Sequence, residues 1–376
     1  MVLVARINGK LARQPQSKGF SEQLRHSKQE AYCMEENSTA GHAVPWKYID
    51  SKGKVVPCTV YENANFSIYS AAICNGDCPF CVEKLRSLSK GHELEEQKSG
   101  IDDSTYFRSM KHAFKMVRSL DPSLSITGGE PSIDPRLPRI IELIDQYDFR
   151  KRTMTTNGSG LLDNGIINLL GKRKFQHLNL SRAHQDEAIN QSIMNIDHGF
   201  SNDDLLECIN RAISAGIRPR LSCVLIAEGI HDIEGILEYL EWAATMNVDN
   251  VVFRQLMKFR SGECLDHQVS RYSEQARILM DSLLSEIHPS SGKCLPRFQF
   301  IKQVVGYYYY IEIYQYKASD GTSIDVVFEN ADLAFIDIER QKHGSNELIH
   351  ELVFHPNGNL CSTWQPWNGI VMKATR

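Results

Sequence analysis

The sequence predicts an α/β fold: a partial TIM-like (βα)6 barrel with a small C-terminal antiparallel β extension. Three observations predict it. Short β-type runs recur from residue 66 onward, helical periodicity fills the gaps between them, and the pattern gives way to hairpin signals after residue 290. Parallel strands need long crossovers, and a strand–helix alternation supplies them.

Taken in order, FSIYSAA (66–72) reads as the first strand and SLSITG (123–128) as the second. Asp134 then reads as a helix cap with Pro135 at the first helical position, and Ile140, Ile141 and Ile144 mark the buried face. KRTMTTN (151–157), FQHLNLS (175–181), RLSCVLI (220–226) and NVVFRQL (250–256) read as strands three to six. Ile233, Ile236, Leu237, Leu240 and Ala244 share a helical face before the sixth strand, and Ala276, Leu279, Met280, Leu283 and Ile287 share one after it. The segment FIKQVVGYYYYIEIYQYK, the turn ASDG and TSIDVVFE form a hairpin signal. A second hairpin turns at Pro356, Asn357 and Gly358. The division that follows is an N-terminal arm over 1–65, the barrel over 66–290 and the β-rich extension over 291–376.

Composition narrows the function. Hydrophobic residues make up 42% of the 376 positions, charged residues 23%, and the net charge is −4. This is ordinary for a globular chain and argues against a nucleic-acid or membrane partner. No apolar run is long enough to span a bilayer, and the N-terminal stretch lacks the apolar core of a signal peptide. Of the ten cysteines, three crowd into CNGDCPFC as Cys74, Cys78 and Cys81. The others are scattered singly, a distribution expected of a reducing cytoplasm and one metal site.

Thiolates are the soft ligands of zinc and of iron–sulfur clusters. A structural zinc ion needs four ligands, and no fourth Cys or His stands at finger-like spacing, so a zinc or redox thiol loop is the weaker reading. The C-x3-C-x2-C array directly after a first strand, with an aromatic residue before its last cysteine, resembles the cluster loop of the radical S-adenosylmethionine (SAM) enzymes. TGGEP (127–131) at the end of the second strand resembles that superfamily's GGE motif. The barrel looks like that of the molybdenum-cofactor GTP cyclase type. The likeness covers about residues 66–290.

The resemblance implies a radical SAM barrel in which Cys74, Cys78 and Cys81 ligate one 4Fe–4S cluster and SAM occupies the fourth iron. It also implies cofactor contacts from Phe80 near the adenine, from Gly128, Gly129 and Glu130 at the methionine amino group, from Asn157 at the site mouth, and from Ser181 and Arg182. Arg254, a charge at the exit of the sixth strand, and Tyr310, on a tyrosine-rich strand face with Glu312, Tyr314 and Tyr316, are the candidates for touching substrate. Cys264, Cys294 and Cys361 are the only tail candidates for a second cluster, and they lack the CxxC pair of the cyclase type. The implied activity is reductive SAM cleavage followed by hydrogen abstraction from a small polar metabolite (nucleoside, sugar or amino acid), with flavodoxin or a ferredoxin-type protein as reductant. The alternatives are a maturase of ribosomally made peptides and, from another class, a non-catalytic iron–sulfur sensor.

Overall fold

The computed structural model describes residues 43–49, 54–70, 73–82, 84, 101–162, 165–258, 268–288, 295–305, 309–331 and 348–375. All of them lie in one compact unit, residues 39–376. Strands β1 (Ala43–Ile49) and β2 (Val55–Tyr69) pair antiparallel. Strand β2 therefore begins well ahead of residue 66, inside the stretch expected to be an arm.

Next come helix α1 (Asp103–Val117), strand β3 (Ser123–Thr127), helix α2 (Leu137–Gln146), strand β4 (Lys151–Thr156), helix α3 (Ile166–Lys172) and strand β5 (His177–Ser181). Helices α4 (Glu187–Met194) and α5 (Asn202–Ser214) lead to β6 (Arg218–Leu225), then α6 (Ile233–Thr245) and β7 (Asn250–Gln255). Four helix starts, those of α1, α4, α5 and α6, are capped by side chains, whereas α2 begins at Leu137 without one and not at the expected Asp134 and Pro135. Asp102, Asp186 and Asp232 each accept a first-turn amide, and Ser201 with Asp204 closes a reciprocal capping box on α5.

The helix expected after β7 is two helices, α7 (Gln268–Ala276) and α8 (Met280–Ile287). The chain leaves the helix at Arg277 to bridge Ile226, and Ala276 accepts from the Ala227 amide. Tertiary pairing overrides the local period there. Leu279, expected on the buried face, is 56% exposed.

The tail adds β8 (Phe298–Val305), β9 (Tyr309–Lys317), β10 (Ser323–Ala331), β11 (Leu348–Phe354), β12 (Leu360–Cys361) and β13 (Ile370–Met372). Its pairings are antiparallel from β8 to β10 and from β11 to β13. The two groups sit at opposite edges. Strand β11 pairs parallel with β2, and β10 pairs parallel with β7. The order β11-β2-β3-β4-β5-β6-β7-β10 is thus eight parallel strands, six from the barrel and one from each tail group, in a sheet that stays open.

Alternate strand residues face the helices and make the core. Phe66 meets Phe114 of α1, and Phe253 meets Tyr239 of α6, with Leu124, Ile126, Met154, Leu178, Leu180, Leu221 and Phe328 buried between. The other face is unlike the apolar inner face common in parallel sheets. It carries Ser125, Thr153, Thr155, His177, Asn179, Ser181, Arg218, Arg220 and Ser222, by strand alternation and register.

Candidate active site at the strand ends

The cysteine loop leaves β2 and is pinned chiefly by backbone bonds, with the Cys78 thiol also donating to the Met194 carbonyl at 3.5 Å. Ile73 accepts from the Glu130 amide at 2.8 Å, and the Asp77 amide donates to Met194 at 3.1 Å. Gly76 bridges Ile196, and Asn75 accepts from the Asp197 amide at 2.7 Å. The loop therefore spans from the exit of β3 to the end of α4. Lys84 closes its far end on Asp77 at 2.6 Å.

Cys74 is exposed, Cys78 and Cys81 are half-buried, and none of the three is in a disulfide. Burial, then the charges of Cys81 and Cys74, pushes the Cys78 thiol up to about 12. Without a cation the loop holds a protonated thiol there, and a bound metal reverses that balance. Among the described residues no three Cys, His, Asp or Glu side chains converge on a single ion. A cubane does not require such convergence, because each thiolate binds a different iron. Three accessible soft donors on one short loop fit that group. Phe80 lies half-buried in the turn between Cys78 and Cys81.

The GGE turn follows β3. Gly128 has φ +85°, and a Cβ on it would fall 2.1 Å from the Tyr69 ring, so only glycine serves. Gly129 also has positive φ. Glu130 does not face outward as an open acceptor. It is 1% exposed, and its carboxylate accepts from the Ser132 amide (2.8 Å), the Asn157 amide (2.6 Å) and the Thr156 hydroxyl. Burial raises its pKa, against the pull of those three donors. Glu130 straps the exit of β3 to the exit of β4.

Asn157 extends the strap to the cysteine loop. Its Nδ2 donates to Asn75 Oδ1 at 3.0 Å. Ser159 Oγ donates to Asn157 Oδ1 at 2.7 Å and accepts from Asn75 Nδ2 at 2.9 Å. Asn157 is nearly buried, so it supports the mouth from behind. Asn75, Thr156 and Ser159 are functional candidates that sequence reasoning passed over. Their only signal was position, inside CNGDC and TTNGS.

At the end of β5 the two candidates part. Ser181 lies half-buried on the inner face, paired in register with Ser222. Arg182, the next residue, points to the helix side, as alternation requires. It is 1% exposed and donates to the Phe200 carbonyl (3.0 Å) and to Asn202, while its own carbonyl accepts from Tyr239. Burial lowers its pKa. The structure thus places Arg182 as a clamp between β5, α5 and α6, apart from the cysteine loop.

Arg254 stands at the exit of β7 and pairs with Glu329 of β10 at 3.3 Å, so its partner is a carboxylate of the chain itself. Tyr310 lies in β9, in register with Asn330 and Val305. The strand face read with it is core: Glu312, Tyr314 and Tyr316 are fully buried, with Tyr314 bonded to Glu312 and Tyr316 to Glu241 of α6. A cavity of about 420 Å3 lies beside them, lined by Leu237, Glu241, Pro296, Arg297 and Tyr316, on the helix side and not at the strand ends. Of the tail cysteines, Cys361 is buried with its thiol against the Pro366 carbonyl, and Cys264 and Cys294 lie outside the described residues.

A parallel, open barrel whose strand ends gather a three-cysteine loop and a glycine–glycine–glutamate turn defines a class of cluster-dependent enzymes. Residues 68–242 match the Radical SAM superfamily, whose cofactors are a 4Fe–4S cluster and SAM. A probable GTP 3′,8-cyclase of Sulfolobus acidocaldarius is 27% identical over 170 residues, 44% of this chain and 51% of its own length. Its counterpart in Sulfurisphaera tokodaii is 30% identical over 173 residues, 44% of this chain and 49% of its own. The chain spans about half the length of the curated relatives it matches. Streptococcus suis SuiB bound to S-adenosylmethionine is similar at 16% identity and TM-score 0.42, covering 65% of this chain and 47% of SuiB. Among the described residues no helix is long and apolar enough to cross a membrane.

Proposed function

We propose that this chain is a radical SAM enzyme acting on a small polar metabolite that it holds against the inner face of its sheet. The observation that carries the reading is the polarity of that face. In a parallel sheet covered on both sides the strands read as apolar runs. Here Ser125, Thr153, Thr155, His177, Asn179, Ser181, Arg220 and Ser222 line one face beneath the cysteine loop. A surface of hydroxyls, amides and cations suits a ligand rich in hydrogen-bonding groups.

Cys74, Cys78 and Cys81 would hold the 4Fe–4S cluster, with SAM beside Gly128, Gly129, Ser181 and the Phe80 ring. When bound and reduced, the pair supplies a 5′-deoxyadenosyl radical able to take a hydrogen atom from an unactivated carbon. The residues of the chain do the rest. Glu130, Asn157, Asn75 and Ser159 fix the cysteine loop relative to the strand ends, so the reacting groups meet in one geometry. Ser181 and Ser222 offer hydroxyls at the top of the inner face. Arg254 with Glu329 flanks the substrate side. Tyr310 remains a substrate-side candidate from β9. Flavodoxin or a ferredoxin-type protein fits as the electron donor.

The test is substrate-stimulated formation of 5′-deoxyadenosine. Reconstituted protein with SAM and dithionite is screened against small polar metabolites and peptides deuterated at candidate carbons. A small metabolite should accelerate SAM cleavage and pass its deuterium into 5′-deoxyadenosine. Transfer from a peptide of more than about ten residues, with none from any small metabolite, replaces this reading with peptide maturation. Iron without any SAM cleavage supports the non-catalytic sensor.

A further inference from the structure

The inner face carries a feature that a merely hydrophilic lining does not need: cations with no carboxylate in contact, since Glu329 and Asp325, which act on Arg220 from a distance, are already paired with Arg254 and Arg218. Arg220 of β6 bonds through Nε to the Asn250 side chain. Among the described residues its other guanidinium nitrogens meet no acceptor, and no carboxylate lies within ion-pair distance of it. Lys151, on the same face of β4, likewise has no ion-pair partner among them. The neighbouring cations are satisfied, Arg218 by Asp249 (2.8 Å) and Asp325 (2.7 Å), and Arg254 by Glu329. A guanidinium taken partly out of water normally finds a carboxylate.

Two unsatisfied polar atoms stand beside Arg220. Asn179 is in register with Arg220, and its residue is 9% exposed. Its Nδ2 donates to Thr155 Oγ1 at 3.1 Å, and its Oδ1 has no partner. Turning the amide over only exchanges which end is left open. Two residues down the strand, His177 Nδ1 is also buried without a partner. Burial, then Arg220, Arg218 and Lys151, holds His177 down to about 4, so a neutral ring sits among cations. Lys151 is depressed first by burial and then by Arg220. Along the strands Arg220 and Asn179 share one level, His177 stands two residues below it, and Lys151, exposed at the foot of β4 on the same face, four residues below it.

We propose that the substrate carries an oxyanion, a phosphate or a carboxylate, bound on the inner face by Arg220 and Lys151 with Asn179 and His177 completing its hydrogen bonds. The inference rests on the reading that the inner face holds substrate, and it names the substrate class. The strands supply a ruler. At about 3.3 Å rise per residue, Arg220 and Asn179 lie about 7 Å below the level of Ser181, and His177 about 13 Å below it. A substrate anchored there by its anionic end presents a carbon at the strand tops when anion and carbon are separated by about that distance. Arg binds either oxyanion through two parallel N–H donors.

The test is calorimetric titration of the reconstituted holoenzyme at constant ionic strength, with inorganic phosphate in one arm and acetate in the other. Wild type should bind at least one saturably. Arg220→Gln should weaken that binding about tenfold or more and Lys151→Gln severalfold. Arg211→Gln, which removes a cation from the outer side of α5, should match wild type. Preference for phosphate marks a phosphate ester as the substrate class, and preference for acetate marks a carboxylate. No saturable binding of either anion, or equal binding by Arg220→Gln, overturns the proposal. Should Arg220→Gln not fold, histidine-labelled wild type decides by magnetic resonance: the anion must raise the His177 titration, and an unmoved His177 overturns the proposal as well. Iron content and SAM cleavage, measured on the same wild-type preparation, report the radical SAM reading separately. Anion binding without SAM cleavage sinks that reading alone, and SAM cleavage without anion binding sinks this inference alone.

Discussion

Glu130 offers the sharpest mutational test, because its sequence motif and its surroundings assign it different work. The motif implies a contact to SAM, whereas the structure shows a carboxylate enclosed by Ser132, Thr156 and Asn157. Glu130→Ala leaves three buried donors without their acceptor, each costing about 1–3 kcal/mol. Water entering the vacated volume returns part of this, and removing a carboxyl whose pKa burial has raised relieves some desolvation. The net loss should be about 2–4 kcal/mol, a large share of a typical 5–15 kcal/mol stability. Glu130→Gln keeps an acceptor for Ser132 and Thr156 but turns an N–H toward the Asn157 amide, so about 1–2 kcal/mol is expected. Urea unfolding followed by circular dichroism measures both. A Glu130→Ala protein with the wild-type midpoint, or a Gln variant less stable than the Ala variant, refutes the strap. Weaker SAM binding at unchanged stability would return Glu130 to the role its motif implies.

Other outcomes follow from the same geometry. Gly128→Ala should lower stability by about 2–4 kcal/mol, since a Cβ there meets the Tyr69 ring at 2.1 Å on a backbone of positive φ, and the thermal midpoint reads it directly. Ser181→Ala should leave unfolding unchanged and weaken SAM binding, measured by calorimetry; unchanged affinity removes Ser181 from the cofactor site. Arg182→Ala should do the reverse in emphasis, costing about 3 kcal/mol of stability because the Phe200 carbonyl and the Asn202 side chain lose a buried charged donor. The folded-state pKa of His177 is depressed to about 4 from 6.5, so the unfolded chain binds the extra proton first. Its stabilising contribution is present above pH 6.5 and is lost as pH falls toward 4; the full linkage between those values is about 3 kcal/mol, which solvent screening of the half-buried ring reduces to about 2 kcal/mol. His177→Gln should flatten that part of the stability profile relative to wild type, and identical profiles would show the ring to be freely solvated.

The parts legible in the sequence were those with local signals. Three cysteines at fixed spacing, glycines at a strand exit and alternating strand and helix periods all declare themselves within a dozen residues. Five of the six barrel strands appear in the structure within two residues of their expected ends, whereas β2 runs from Val55 to Tyr69 in place of 66–72. What escaped was set by distant pairing. No local pattern says that β11 lies against β2 and β10 against β7, which turns an appended sheet into two edges of the barrel sheet. Arg182 follows Ser181, and neighbours on a strand face opposite ways, so the pair that the motif joins is split between the two faces of the sheet. A tyrosine-rich strand face suits a substrate as well as a core by composition, and only the pairing shows Glu312, Tyr314 and Tyr316 packing toward β8, β10 and α6. The polar inner face was also available in SLSIT, HLNLS and RPRLS, which alternate where a fully covered parallel strand would not.

The central claim is that Cys74, Cys78 and Cys81 carry one cluster that acts on SAM. The most direct measurement is iron content together with 5′-deoxyadenosine formation, in anaerobically reconstituted wild type and in the variant with all three cysteines changed to alanine. The account predicts about four irons per chain and dithionite-dependent 5′-deoxyadenosine in wild type, with both lost in the variant. Four irons surviving in the variant, or a fully loaded wild type that leaves SAM intact under reduction, would contradict it.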